Sequence, residues 1–364
     1  MAIHVVKRCP GASVAKQGLE NDPVSARIEA IRQQLGDELL ILGHHYQQDN
    51  VIRYADLRGD SFLLARQATE NHRAKYILFL GVMFMAETAD IVTSPGQAVL
   101  LPAPQAGCMM ANMATGRQVR ECWEVIESNF HQQFIPVTYV NSSAEIKAFC
   151  GEKGGLTCTS SSCEKAFRWV MEQGKKVFFL PDQNLGRNTG VKVGIGLDAM
   201  AVWDRSKQQL TGCIDPSLIL WDGYCPIHEQ FTVSHIQQLR QEYPDIQLIV
   251  HPECPHATVT EANASGSTEM IIQHLQASSP GSRWGIGTEI NLVKRLAREH
   301  SDKEILSLDE RIGPCPDMMK ITPEDILWCL EGLLQGEIRN QISVRSEVAG
   351  WARIALRRML DAGC

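Results

Sequence analysis

The sequence predicts an α/β protein of three pseudo-threefold-related, three-layer α/β/α units, each with a parallel sheet, arranged around a common centre. Three observations predict it. The same order of parts recurs three times, with first apolar runs ELLILGHHYQ (38–47), FIPVTYVNSS (134–143) and IQLIVHPECP (246–255). The strand-like runs LLIL, YILFL, PVTYV, VFFL, LILW and QLIV are continuously apolar, the pattern of parallel strands covered by helices on both faces. One cysteine closes each copy: His44 to Cys108 and His251 to Cys315 are both 64 positions, and Asn141 to Cys225 is 84. Generic strand and helix alternation does not fix where a cysteine falls.

The elements follow in order. SARIEAIRQQLG (25–36) reads as an N-terminal helix ended by Gly36. After each first run, a small-residue turn opens a helical pattern: GDSFLLAR (59–66) from Ser61, CTSSSCEKAF (158–167), and GSTEMIIQHL (266–275) from Thr268. A second apolar run then ends in a polar turn: YILFLGVMFMAE (76–87), KVFFLPDQNLGR (176–187) and RWGIGTEINLVKR (283–295). Ser143 opens a further helix, SAEIKAFC. The middle copy carries about 20 extra residues, placed after Arg187 and spanning 188–212. TPEDILWCLEGLL (322–334) has a Thr cap, Pro in the first turn and acids behind it. SEVAGWARIALRRML (346–360) is a last amphipathic helix whose arginines read as a solvated face. The units expected are 1–112, 113–226 and 227–316, with the C-terminal helices of 317–364 packing back on the first.

Bulk properties narrow the function class. A net charge of −7 over 364 residues argues against a polyanion-binding surface, which needs clustered Lys and Arg, so no nucleic-acid partner is expected. MAIHVVKRCPGASVAKQG at the N-terminus lacks the apolar core of a signal peptide, and the longest near-apolar run, 76–86, is too short for a bilayer. A cytoplasmic location without membrane contact is expected. The 12 cysteines are then mostly reduced thiols rather than a disulfide framework.

In such sheets ligands sit beyond the carboxyl ends of the strands. Collected there are His44, His45, Tyr46, Ser61, Phe84, Met85, Glu87, Tyr139, Asn141, Ser142, Ser160, His228, His251, Glu253, Ser267, Thr268, Thr288 and Glu289. Hydroxyls and free N–H groups at helix starts suit carboxylate or phosphate substrates. A Ser or Thr there is most often only a cap, and a lone His most often structural. His251-Pro252-Glu253 directly after a strand is harder to dismiss, because it sets two titratable groups at one strand end.

Most of the cysteines should be inert packing. Cys108, Cys225 and Cys315 each lie in a turn after a strand-like run; Cys158 with Cys163 and Cys150, or His251, Cys254 and His256 as a zinc site, are the competing sets. Three thiolates on a four-iron cluster would leave one iron open, where it can act as a Lewis acid on a carboxylate or hydroxyl.

The strings GHHYQ (43–47), GDS (59–61), GVMFMAE (81–87), YVNSS (139–143), TSS (159–161), PDQNLGR (181–187), CPIHEQF (225–231), HPECP (251–255), GSTEM (266–270), IGTE (286–289) and CPDMMK (315–320) resemble, in order, those of the quinolinate synthase family over roughly 25–330. The resemblance implies a [4Fe-4S] cluster on Cys108, Cys225 and Cys315 at a pseudo-threefold axis. It implies a transferase that condenses iminoaspartate with dihydroxyacetone phosphate, releasing phosphate and two waters, to give quinolinate for NAD biosynthesis, with functional coupling to L-aspartate oxidase. Carried over residue by residue, it implies catalytic roles for His44, Tyr46, Tyr139, His251 and Glu253. Substrate contacts fall on His44, Ser61, Phe84, Met85, Tyr139, Asn141, Ser160, His251, Glu253, Ser267 and Thr268. The chain departs from the family's pattern in the longer 188–212 stretch, in the thiols of Cys158 and Cys163, and in reading GDSF where GDSL is common. Two other classes compete: an iron-sulfur sensor, which would want a DNA- or partner-binding module, and a zinc lyase or hydrolase on His251, Cys254 and His256.

Overall fold

A computed structural model describes residues 22–131 and 133–361. The first unit runs α1 (Pro23–Leu35), β1 (Leu39–His44), α2 (Asp49–Ile52), β2 (Leu57–Gly59), α3 (Ser61–Glu70), β3 (Tyr76–Leu80), α4 (Met83–Val92) and β4 (Ala98–Leu100). The second holds α5 (Gly116–Phe130), β5 (Phe134–Tyr139), α6 (Ala144–Glu152), β6 (Leu156–Cys158), α7 (Cys163–Glu172), β7 (Lys176–Leu180), α8 (Gln183–Lys192), β8 (Met200–Asp204), β9 (Gln209–Gly212) and β10 (Leu218–Trp221). The third holds α9 (Val233–Glu242), β11 (Gln247–Val250), α10 (His256–Glu261), β12 (Ala264–Ser265), α11 (Thr268–Ala277), β13 (Arg283–Gly287), α12 (Ile290–Glu299) and β14 (Glu304–Ser307). The chain ends in α13 (Pro323–Leu334), β15 (Gln341–Ile342) and α14 (Ser346–Asp361).

The strands form three sheets, ordered β15-β4-β3-β1-β2, β6-β5-β7-β10-β8-β9 and β12-β11-β13-β14. One four-strand pattern is common to them: β4-β3-β1-β2, β10-β7-β5-β6 and β14-β13-β11-β12, all of it parallel. β1 is buried along its whole length, as is β3, which is what covering helices on both faces demand of Leu, Ile and Phe runs. The extra residues of the middle copy build the antiparallel β8–β9 hairpin, joined to the sheet through β8 on β10. Its outer strand β9 is largely exposed.

Local chemistry sets the helix ends. Asp22 accepts from Val24 N and Ser25 N at the start of α1, and Gly36 at φ 51° ends it. Thr322 and Asp325 form a capping box at α13, with Pro323 in the first turn. Two expected caps shift by one residue. The cap of α3 is Asp60, whose Oδ1 accepts from Leu63 N at 2.9 Å, and the cap of α11 is Ser267; Ser61 and Thr268 are the first helical residues.

The C-terminal segment divides. α13 packs on α1 and β15 pairs antiparallel with β4, on the first unit. α14 instead lies chiefly on α6 and β6 of the second unit, touching α4 as well. This corrects the expectation that both C-terminal helices return to the first unit. Gly151 makes the approach possible, since a Cβ there would sit 2.0 Å from Trp351 O. Nor are the arginines of α14 simply a solvated face: Arg353 donates to Ile91 O at 2.8 Å and Arg358 to Gly155 O at 2.6 Å. Among the described residues no helix is long and apolar enough to cross a membrane.

Candidate active site

The carboxyl ends of the three sheets and the N-termini of α3 and α11 meet at one cavity. From the first unit it is lined by His44, Tyr46, Ser61, Phe84, Met85 and Cys108. The second contributes Tyr139, Asn141, Ser160 and Cys225, and the third His251, Glu253 and Thr268, with Cys315 just after β14. Every residue to which the sequence assigns a catalytic, substrate or cluster role is therefore at the wall except Ser267, which is buried and spends its hydroxyl on capping Met270 N; of the wider set of strand-end residues, His45, Glu87, Ser142 and Thr288 also lie off the wall.

Strand register matches three of these residues. Gly43 pairs with Leu80, Thr138 with Leu180 and Val250 with Gly287, each at the end of the unit's second long strand. The next residues, His44, Tyr139 and His251, hence occupy equivalent positions. The sequence reading had aligned Asn141 with the two histidines; the β5–β7 register corrects this by two residues. His44 and His251 also share a local device. Nδ1 of each accepts a backbone N–H two residues on, from Tyr46 at 3.1 Å and from Glu253 at 3.4 Å. That bond leaves the proton on Nε2, so both rings are donors. Burial drives both far below the ordinary histidine range, to about 3, which keeps them neutral.

A chain of polar contacts crosses the cavity. His228 Nδ1 lies 2.7 Å from Glu253 Oε2, and its ring stacks on His251 with centroids 4.5 Å apart. His228 Nε2 is 3.1 Å from Thr288 Oγ1, which in turn is 2.8 Å from Tyr46 OH; Thr268 Oγ1 donates to the same phenol. Burial alone would raise the Glu253 carboxyl, but the close approach of His251 and His228 and a hydrogen bond from Tyr139 outweigh that and hold it at about 2. Burial pushes the phenols of Tyr46 and Tyr139 well above their usual range. The ensemble is thus an ionised acid, a histidine, a hydroxyl and a protonated phenol in series, able to pass a proton in either direction.

Two groups brace the walls. Lys147, wholly buried, donates to Ser142 O in the turn that carries Asn141, and its ammonium lies 5.5 Å from the Phe84 ring centroid. Burial brings it down to about 8. Glu289 caps α12 through Asn291 N and Leu292 N while accepting from Cys315 N at 3.1 Å, and burial raises it to about 7.

The three cysteine turns are built alike. In each, the backbone N–H four residues on donates to the cysteine carbonyl: Asn112 to Cys108 at 3.0 Å, Glu229 to Cys225 at 2.9 Å and Met319 to Cys315 at 3.2 Å. A 3-10 turn starts three residues after each cysteine, at Ala111, His228 and Met318, and the N–H of that residue is directed at the sulfur. Burial raises all three thiols, Cys108 to about 12, as expected of sulfurs without a counter-cation. Three half-buried thiols with N–H donors on one cavity fit a cluster held by three cysteines. The cavity also carries buried polar atoms without a protein partner among the described residues, Asn141 Oδ1 and His228 Nδ1.

The competing ligand sets do not converge. Cys254 packs with its sulfur toward Gly287 O, and His256 Nδ1 turns to Asn188 Oδ1 at 2.7 Å, away from His251. Cys150, Cys158 and Cys163 are buried in apolar clusters. The sequence reading named His228 and Thr288 only as polar residues at strand ends. What singles them out, their contacts with Glu253 and Tyr46, spans the fold.

The family description Quinolinate synthetase A protein matches residues 26–361. A quinolinate synthase of Geobacillus thermodenitrificans is 49% identical over 345 residues, covering 94% of this chain and 94% of that protein. Those of Streptomyces coelicolor and Bacillus subtilis are each 47% identical, over 97% and 94% of this chain and 91% and 94% of theirs. With site geometry and match both spanning the three sheets, the chain belongs to the quinolinate synthetase A family.

Proposed function

We propose that this chain is an enzyme that forms quinolinate for NAD biosynthesis, condensing iminoaspartate with dihydroxyacetone phosphate and releasing phosphate and two waters. The observation that carries the reading is the meeting of three like-built cysteine turns with the Glu253–His228–Thr288–Tyr46 chain in one cavity. Cys108, Cys225 and Cys315 would hold a [4Fe-4S] cluster. When bound, the cluster supplies an open iron, a Lewis acid for a substrate carboxylate or hydroxyl.

The chain's own groups do the rest. The Nε2–H donors of His44 and His251, with Asn141 and the hydroxyls of Ser61, Ser160 and Thr268, hold carboxylate and phosphate oxygens. Ser267 fixes the start of α11. The rings of Phe84 and Met85's side chain close the apolar side and exclude water. Tyr46, protonated by its burial, delivers a proton to a departing oxygen and is refilled through Thr288 and His228 while Glu253 stabilises the charge on the imidazole. Tyr139, bonded to Glu253, holds the carboxylate in place. The three units 1–112, 113–226 and 227–316 act as the walls of one site. The work is cytoplasmic, and an L-aspartate oxidase, which makes the unstable imine, is the natural supplier.

The test is an anaerobic preparation reconstituted with iron and sulfide and supplied with iminoaspartate and dihydroxyacetone phosphate. Quinolinate formed in proportion to cluster content supports the reading; a fully loaded protein that forms none refutes it.

A further inference from the structure

We propose that Cys225, His228 and Glu253 form a binding site for a single zinc ion, separate in composition from the three-cysteine set and filled when the chain carries no cluster. One ligand atom from each residue lies within 4.8 Å of the other two, and they are the group among the described residues that gathers three such donors. A tetrahedral zinc with Zn–S of about 2.3 Å and Zn–N or Zn–O of about 2.0–2.1 Å holds its ligand atoms roughly 3.3–3.6 Å apart. Binding therefore asks the His228–Glu253 pair, 2.7 Å apart, to open by about half an ångström and the more distant donors, within 4.8 Å, to close by about an ångström.

Three further features favour an ion there. His228 Nδ1 is buried, lies 2.7 Å from Glu253 Oε2, and yet has no hydrogen-bond partner of acceptable geometry. An acceptor nitrogen facing a carboxylate is an unfavourable pair until a cation or proton comes between them. His228 Nε2 is within 3.1 Å of Thr288 Oγ1, the outer bond that orients a metal-bound imidazole. Thiolate, carboxylate and neutral imidazole give zinc a net-neutral site, and binding displaces one proton, from the Cys225 thiol. Thiolate, imidazole and carboxylate together suit zinc rather than magnesium or calcium. All three residues line the cavity.

The zinc site stands on geometry alone. Its consequence rests on the proposed function: Cys225 would be shared with the cluster and Glu253 and His228 with proton transfer, so zinc and activity exclude each other.

Full-length chain purified without iron or sulfide is titrated with zinc chloride against a chromogenic chelator. One equivalent is expected to bind, with X-ray absorption showing one sulfur at about 2.3 Å and nitrogen or oxygen at about 2.0–2.1 Å. Cys225→Ser, His228→Gln and Glu253→Gln should each weaken binding at least about tenfold, with circular dichroism and thermal midpoints showing that they remain folded. Cys108→Ser and Cys315→Ser should bind zinc like the unaltered chain. A shell of three sulfurs, weakened binding in Cys108→Ser or Cys315→Ser, or no zinc taken up by folded chain overturns the proposal. Quinolinate assays of the reconstituted enzyme answer separately whether the function is right.

Discussion

Glu253 is ionised in a place where burial by itself would protonate it, and the compensation comes from neighbours that a substrate would also meet. Glu253→Gln is expected to lower turnover by about 10²-fold or more, the usual scale of general acid/base catalysis, while the visible spectrum of the cluster stays unchanged. Steady-state assays on matched cluster content check this; near-normal turnover would remove Glu253 from the proton path. The neutral histidines carry a second prediction. His44 and His251 titrate near 3 in the folded chain against an ordinary 6.5, so the unfolded chain binds more protons between those values. Stability of the cluster-free chain should fall as pH drops below 6.5, and Glu253, lowered to about 2, adds to the fall below 4.5. Urea unfolding at pH 5 and pH 7 measures it, with a shallower dependence expected for His44→Gln. Of this site, His44, His251 and Glu253 were legible because strand ends announce themselves by an apolar run. His228 and Thr288 were not: Thr288 meets His228 across 60 positions and Tyr46 across 242, and no local pattern encodes such contacts.

Elements place these residues by register and by caps. The long apolar strands were legible, but β2, β6 and β12, of three, three and two residues, are too short for periodicity to reveal. The middle copy aligns two residues off because its apolar run continues through Tyr139 and Val140 to Asn141, whereas β5 itself ends at Tyr139. Glu289 shows what a cap can add, because one carboxyl serves the first turn of α12 and the N–H of Cys315. Glu289→Ala should cost about 1–2 kcal/mol in thermal or urea unfolding and speed iron loss from the reconstituted protein, read by absorbance during chelator challenge. Gly151→Ala tests the α6–α14 contact. A methyl 2.0 Å from Trp351 O forces the helices apart, and about 1–3 kcal/mol of stability should go with it, without change in the cluster spectrum.

At the scale of the molecule, three sheets that share one four-strand order present their carboxyl ends to a single cavity. The α/β class and the positions of the cysteines could be read from apolar runs and from equal spacing. The seating of α14 on the second unit could not, since an amphipathic helix does not say which face receives it. Nor could the β8–β9 hairpin, whose exposed outer strand carries little apolar signal. The central claim is that Cys108, Cys225 and Cys315 alone hold the cluster. It is tested most directly by iron and sulfide content after anaerobic reconstitution of six variants. Cys108→Ser, Cys225→Ser and Cys315→Ser should each fail to retain a four-iron cluster, while Cys158→Ser, Cys163→Ser and Cys254→Ser should keep it. Loss in Cys254→Ser together with retention in Cys315→Ser would contradict the account.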